Sequence, residues 1–187
     1  MKILYITQYY PPEPVPLQSD FVRIMRERGH SVTVLTGFPC WPEGRTHPGW
    51  SQKIFGQTRD EDGIKVVRVP QFPDHSRSGF RRALYYLSFM AGAATLGLFR
   101  SGPCDAVVVY QSAVPTGLAA WVVARLRGAG LVFHVVDLWP ESVTASGMLQ
   151  NRAALWMLKK FSAFTYRRAD YCAAITKGFL ARLREMR

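Results

Sequence analysis

The stretch FHVVDLWPES, residues 133–142, holds the first candidate for acid–base work. An apolar run delivers Asp137 to what reads as the end of a strand, where a carboxylate orients a hydroxyl or accepts its proton. The competing role for Asp137 is to cap the turn that follows. Glu141, after Pro140, is placed to hold this loop through backbone amides, with Trp139 packing beneath it, and His134 reads as a core histidine. A second cluster is GFPCWPEGR, residues 37–45. Its Phe38 and Trp41 offer aromatic faces that stack on sugar rings, and Arg45 offers a fork that grips a phosphate through two bonds; plain loop packing is the alternative. Gln111 and Ser112, after DAVVVY, present polar tips suited to sugar hydroxyls or to the same loop packing. In QYYPPEPVPLQSD, residues 8–20, Tyr9 and Tyr10 run into four prolines. Proline fixes φ and removes a donor, so this segment reads as a stiff wall for a ligand or a rigid cover for a sheet edge.

Positioning such groups needs strands, and short β-branched runs alternate here with longer stretches of helical period. KILYIT (2–7), SVTVLT (31–36), IKVVRV (64–69), DAVVVY (105–110), LVFHVV (131–136) and YCAAIT (171–176) read as strands apolar on both faces, as in a covered parallel sheet. Helices are expected over about 18–28, 80–100, 116–127, 151–168 and 178–187. The alternation predicts an α/β fold: a Rossmann-like open, mostly parallel sheet with helices on both faces. The DEDG turn at 60–63 fits a local hairpin at a sheet edge. Loops leaving strand ends are rich in aromatic residues, proline and hydrogen-bonding side chains, whereas the opposite turns, ERGH, SGPC and RGAG, are short and bland. Ligands of open sheets bind beyond the carboxyl ends of the strands, so one rim is marked as functional.

Composition narrows the partners. The chain has 187 residues and a formal net charge of +11, which attracts phosphates, sugar nucleotides, anionic lipid headgroups or nucleic acid. Cys40, Cys104 and Cys172 are scattered and odd in number, which argues against a disulfide framework or zinc site and for a reducing, cytoplasmic setting. The amino-terminal apolar run breaks into prolines too soon for a secretory signal. Residues 83–99 form a seventeen-residue stretch without charge, bracketed by Arg81, Arg82 and Arg100. Spanning a bilayer takes about 20 apolar residues; the stretch reads chiefly as a half-buried helix of the fold, next as a helix in the membrane interface, and last as a span. The segment 151–170 mixes Trp156, Phe161 and Phe164 with Lys159, Lys160, Arg167 and Arg168, a surface suited to an anionic leaflet or simply a solvated helix face.

Taken together, MKILYITQYYPPE, GHSVTVLTGFPCWPEGR, GIKVVRVPQFPDH, SGFRRALYYLSF, DLWPES and YRRADYCAAITKGF resemble the N-terminal domain of family 4 glycosyltransferases, along nearly the whole chain. The likeness is strongest to bacterial WbuB-like enzymes that build capsule, O-antigen or exopolysaccharide repeats on a lipid carrier. It implies one half of a two-domain GT-B enzyme acting with retention, in which this domain binds the acceptor and a second domain, absent from the chain, holds most of the nucleotide-sugar donor. On its own such a half is expected to be inactive. The loop with Tyr9, Tyr10 and Glu13 resembles the family's PPE loop lining the cleft, but PVPLQSD replaces a glycine-rich continuation, which argues against backbone cradling of a donor phosphate. Ser19 or Asp20 is left to cap the helix. Many members carry histidine just before the aspartate, a position held here by Val136. The resemblance implies a lipid-linked or saccharide acceptor, an anionic membrane surface contacted by Arg81, Arg82 and the basic residues of 151–170, and no metal, cofactor or nucleic acid. A dinucleotide-dependent oxidoreductase is disfavoured because Gly-x-Gly-x-x-Gly is missing after the first strand. A stand-alone basic module without catalysis remains the alternative.

Overall fold

A computed structural model describes residues 1–76, 78–145, 147 and 151–186. In chain order the elements are β1 (Lys2–Ile6), α1 (Pro16–Glu27), β2 (Ser31–Gly37), β3 (Gln57–Glu61), β4 (Ile64–Val69), α2 (Gly79–Gly92), a π-helical turn (Ala93–Gly97) and α3 (Leu98–Ser101). They continue as β5 (Ala106–Gln111), α4 (Val114–Arg127), β6 (Gly130–Val135), α5 (Glu141–Ala145), α6 (Arg152–Arg168), β7 (Tyr171–Ala174) and α7 (Lys177–Met186). The strands form one seven-stranded sheet in the order β3-β4-β2-β1-β5-β6-β7. Every pairing is parallel except β3 with β4. The order reverses between β1 and β5, and that reversal is the switch point where a crevice opens in such sheets.

Period-2 burial on both faces explains why the apolar runs become interior strands. Leu4, Ile6, Leu35, Val67, Val107, Val109, Phe133 and Val135 pack under α2, α4, α6 and α7. Ile3, Tyr5, Val34, Val66 and Val108 turn the other way, toward Phe21, Val22 and Met25 of α1. The expected edge hairpin is present: Glu61 pairs with Ile64 across Asp62 and Gly63, both at positive φ (54° and 74°). Asp-Gly is the pair that the type I′ turn asks for.

Two expectations are corrected and a third is met. The first helix begins at Pro16 rather than near residue 18, because proline is preorganised for a first turn and its missing donor is no loss there. Ser19 and Asp20 therefore lie inside α1 and do not cap it; Val15 occupies the cap position without a side-chain bond. The stretch 83–99 is the half-buried helix of the fold, with Tyr85, Phe89 and Gly92 inward and Leu84 and Leu87 outward. Among the described residues no helix is long and apolar enough to cross a membrane.

Candidate functional site at the carboxyl rim of the sheet

Three buried polar side chains fasten the loops that leave β1, β2 and β4. Glu13, only 2% exposed, accepts from the backbone N–H groups of Tyr10 (3.0 Å), Cys40 (3.0 Å) and Trp41 (2.9 Å). Burial raises its pKa, with those three donors opposing. Arg68, at 1% exposure, donates to the carbonyls of Gly37 (3.2 Å) and Pro11, pairs with Glu61 at 3.1 Å and lies 4.6 Å from the Trp50 ring centre. Gln71 donates to the Phe38 carbonyl at 2.9 Å and accepts from Gln8 at 3.3 Å. It sits so close to Gly37 that a Cβ there would lie 2.3 Å from its amide nitrogen, which is why β2 ends in glycine.

This lattice places several of the sequence-derived candidates beneath the rim rather than on it. Glu13 ties the first two loops together, Phe38 is fully buried with Trp50 edge-on at 6.4 Å, and Tyr10 joins the core on the α1 face. Arg45 stands exposed on its loop. Arg68 and Gln71 did not stand out in the sequence, although one arginine inside IKVVRV, a run covered on both sides, is itself a signal of a buried polar tie.

The switch point has a different character. Gln8, Gln111 and Thr116 are fully buried, and Gln8 Oε1, Gln111 Oε1, Thr116 Oγ1 and Ser112 Oγ are buried atoms without a hydrogen-bond partner among the described residues. Buried polar atoms are nearly always satisfied, so this cluster leaves unused polar capacity beneath the switch point. The amide of Gln111 is held by the Tyr166 hydroxyl at 3.2 Å, which aims its oxygen.

A row of rings runs from the loop after β2 to the loop after β6, with Tyr85 and Trp139 buried within it. Trp41 meets Tyr9 (5.9 Å between centres), Tyr9 meets Tyr85 (6.5 Å), Tyr85 meets Tyr86 (5.3 Å) and Tyr86 meets Trp139 edge-on (5.6 Å). Trp139 ends the row by donating its indole N–H to Asp137 at 3.2 Å. The expected carboxylate is thus half-buried at the end of β6, bonded to an indole rather than to the amides of the following turn. Its negative charge helps, after burial, to push up the pKa of Tyr86 and of Tyr110, which places it between α2 and β5. Glu141 does not hold the loop through amides; it opens α5 and pairs with Arg182 of α7 at 2.8 Å. His134 is half-buried beside Tyr110, ring centres 5.5 Å apart, and burial lowers its pKa.

The basic residues divide. Arg81 is paired with buried Asp74 at 2.8 Å, and Arg82 lines an apolar cavity beside Trp139. Trp156, Lys159, Lys160, Arg167 and Arg168 come together along a groove of about 560 Å³ between α6 and α7. Lys160 lies 5.5 Å from the Trp156 ring and Arg168 5.1 Å from that of Phe164, so cations and rings are interleaved on this flank.

An open, mostly parallel sheet with unpartnered polar atoms at its switch point, an aromatic row nearby and one carboxylate at the row's end defines a Rossmann-like domain with a candidate ligand site. Residues 18–187 match the sequence model of the Glycosyl transferase 4-like domain, and the chain belongs to that family. No curated protein matches it significantly. Among solved structures it is similar to "Trehalose-6-phosphate from E. coli bound with UDP-2-fluoro glucose", with a TM-score of 0.53 at 11% identity. That likeness covers 100% of this chain and 42% of the other, so the chain spans less than half the length of that relative in fold.

Proposed function

We propose that this domain is the acceptor-side half of a two-domain retaining glycosyltransferase. The whole enzyme moves a sugar from a nucleotide-sugar donor to a lipid-linked acceptor, in building a cell-surface polysaccharide at the inner face of a bacterial membrane. The observation that carries the reading is the convergence of Asp137, the aromatic row and the unpartnered oxygens of Gln8, Gln111 and Ser112 at one switch point. Rings there stack on the acceptor's sugar, the oxygens meet its hydroxyls, and Asp137 accepts the hydrogen bond of the attacking hydroxyl. As that oxygen bonds to the anomeric carbon, the bond to the nucleoside diphosphate breaks and Asp137 receives the hydroxyl's proton. The donor is held mainly by the second domain; use of a nucleotide sugar is in keeping with the UDP-2-fluoro glucose bound in the structural relative.

The α6–α7 groove supports the membrane half of the reading, since interleaved lysine, arginine and aromatic side chains suit an anionic leaflet. Sedimentation with vesicles tests it. The domain is expected to pellet with vesicles rich in anionic phospholipid, to stay in solution with neutral ones, and to be released by salt; Lys159→Gln with Lys160→Gln weakens pelleting while Asp137→Asn leaves it unchanged. Equal indifference to both vesicle types overturns the membrane reading and leaves a soluble acceptor as the substrate.

A further inference from the structure

We infer that the apolar cavity between α2, α5 and α6 is the seat for the hydrocarbon chain of the acceptor, next to its phosphate. The inference rests on the lipid-linked acceptor proposed above and adds where the lipid goes. The cavity measures about 250 Å³ and is lined chiefly by Ala83, Tyr86, Leu87, Pro115, Trp139 and Leu158. That is below the roughly 300–1,000 Å³ of a site that encloses a whole ligand, so it suits part of a longer one.

Its position says which part. Trp139 forms its wall and at the same time donates to Asp137 at 3.2 Å, so whatever fills the cavity lies one side chain away from the candidate base. Arg82 is the single charged residue of the lining among the described residues. One cation in an otherwise apolar wall fits an anionic group joined directly to a hydrocarbon, and fits a free sugar or nucleotide poorly. The apolar surface also continues outward. Phe80, Leu84 and Leu87 recur at helical spacing along α2 and are 80%, 40% and 47% exposed, while Trp156, Met157 and Phe161 are exposed on α6, the helix that supplies Leu158. A chain anchored in a leaflet thus has an apolar path to the cavity, with the α6–α7 cations at headgroup level.

Binding of small alkyl phosphates to the whole chain, followed by calorimetry, tests this. The probes are inorganic phosphate and butyl, octyl, decyl and geranyl phosphates, all below micelle formation. Affinity is expected to rise about fourfold per added methylene until the cavity is full, and inorganic phosphate binds weakest. The exposed, cavity-lining Ala83 replaced by tryptophan fills the space without touching the sheet core. Ala83→Trp is expected to abolish the dependence on chain length while its melting temperature stays near that of the parent. Decyl against geranyl phosphate separates a straight acyl-like chain from a branched isoprenoid. Affinity independent of chain length, or a length dependence that survives Ala83→Trp, overturns the cavity as the chain's seat. Either result combined with intact pelleting on anionic vesicles leaves the membrane reading standing, whereas loss of both removes the lipid-linked acceptor itself.

Discussion

Glu13 and Asp137 are both carboxylates on proline-bearing loops at the ends of parallel strands, yet the fold uses them in opposite ways. Glu13 is sealed at 2% exposure under three backbone amides, one from its own loop and two from the loop after β2. Asp137 is half-buried and holds one indole N–H. The same contrast extends outward. The loops after β1, β2 and β4 are interlocked by Glu13, Arg68 and Gln71, whereas the β5 and β6 ends present unpartnered oxygens and an open carboxylate. Glu13, Arg68 and Gln71 hold the rim together, while Asp137 keeps bonding capacity unused; a group whose bonding capacity is already filled by amides has none left for a ligand.

The largest expected effect falls on activity. In the two-domain enzyme, Asp137→Asn should lower kcat/KM by about 10²–10⁴-fold, the range for removing a positioned acid–base group. Its unfolding free energy should change by less than about 1 kcal/mol, since asparagine keeps an oxygen to accept the indole N–H and only the charge at a half-exposed site is removed. Steady-state rates beside urea unfolding check both halves. A stability loss as large as that of a Glu13 variant would show that Asp137 belongs to the scaffold.

Glu13→Ala should do the reverse. It orphans three N–H groups, each costing about 1–3 kcal/mol when buried without a partner, so the domain should lose at least about 3 kcal/mol. Arg68→Met should follow at about 2–3 kcal/mol: it frees the carbonyls of Gly37 and Pro11 and leaves Glu61 unpaired, but Glu61 is partly exposed and water moderates its loss. Chemical unfolding ranks the two. If either variant lost transferase activity at unchanged stability, the division of the rim would be wrong on that side.

How far this division was readable without coordinates depends on the range of the interactions. Six of the strands and the Asp62-Gly63 hairpin are local or periodic properties visible in the chain, but YCAAIT, expected as a covered strand, is β7 at the sheet edge with Tyr171 and Ala173 exposed. The concentration of aromatic and polar residues in the loops at one set of strand ends was also legible. So was Asp137 at a strand end. The separate duties of the rim residues were not, since Glu13 meets Cys40 and Trp41 only through the β1/β2 pairing, and Arg68 reaches Pro11 across 57 positions. The cavity beside Trp139 is equally non-local: its walls come from four segments between residues 79 and 158, and no one of them shows a pattern that a helix buried against a sheet would lack.

The smallest expected effect is a difference in pH response between two buried acids of the scaffold. Burial raises the Asp74 pKa, but Arg81 at 2.8 Å together with the hydroxyl and amide of Ser76 outweighs it and holds the carboxyl below its ordinary value. A depressed folded-state pKa contributes stability that is present above the unfolded value, about 3.9 for aspartate, and is lost as pH falls through the folded one. Glu13 is shifted the other way, since burial prevails over its three amides. Its protonation therefore favours the folded state at low pH, a contribution lost as pH rises from the ordinary glutamate value, about 4.3, through the raised one. Melting temperatures between about pH 3 and pH 7 separate the two. Asp74→Asn should flatten the acid decline of the parent, lowering stability at neutral pH and converging with it at the acid end. Glu13→Gln should steepen that decline by removing the opposing trend, while lowering stability throughout through poorer bonding to the amides. If Glu13→Gln flattened the decline as Asp74→Asn does, the amides would outweigh burial, and Glu13 would be a stabilised anion rather than a carboxyl held against the cost of its own burial.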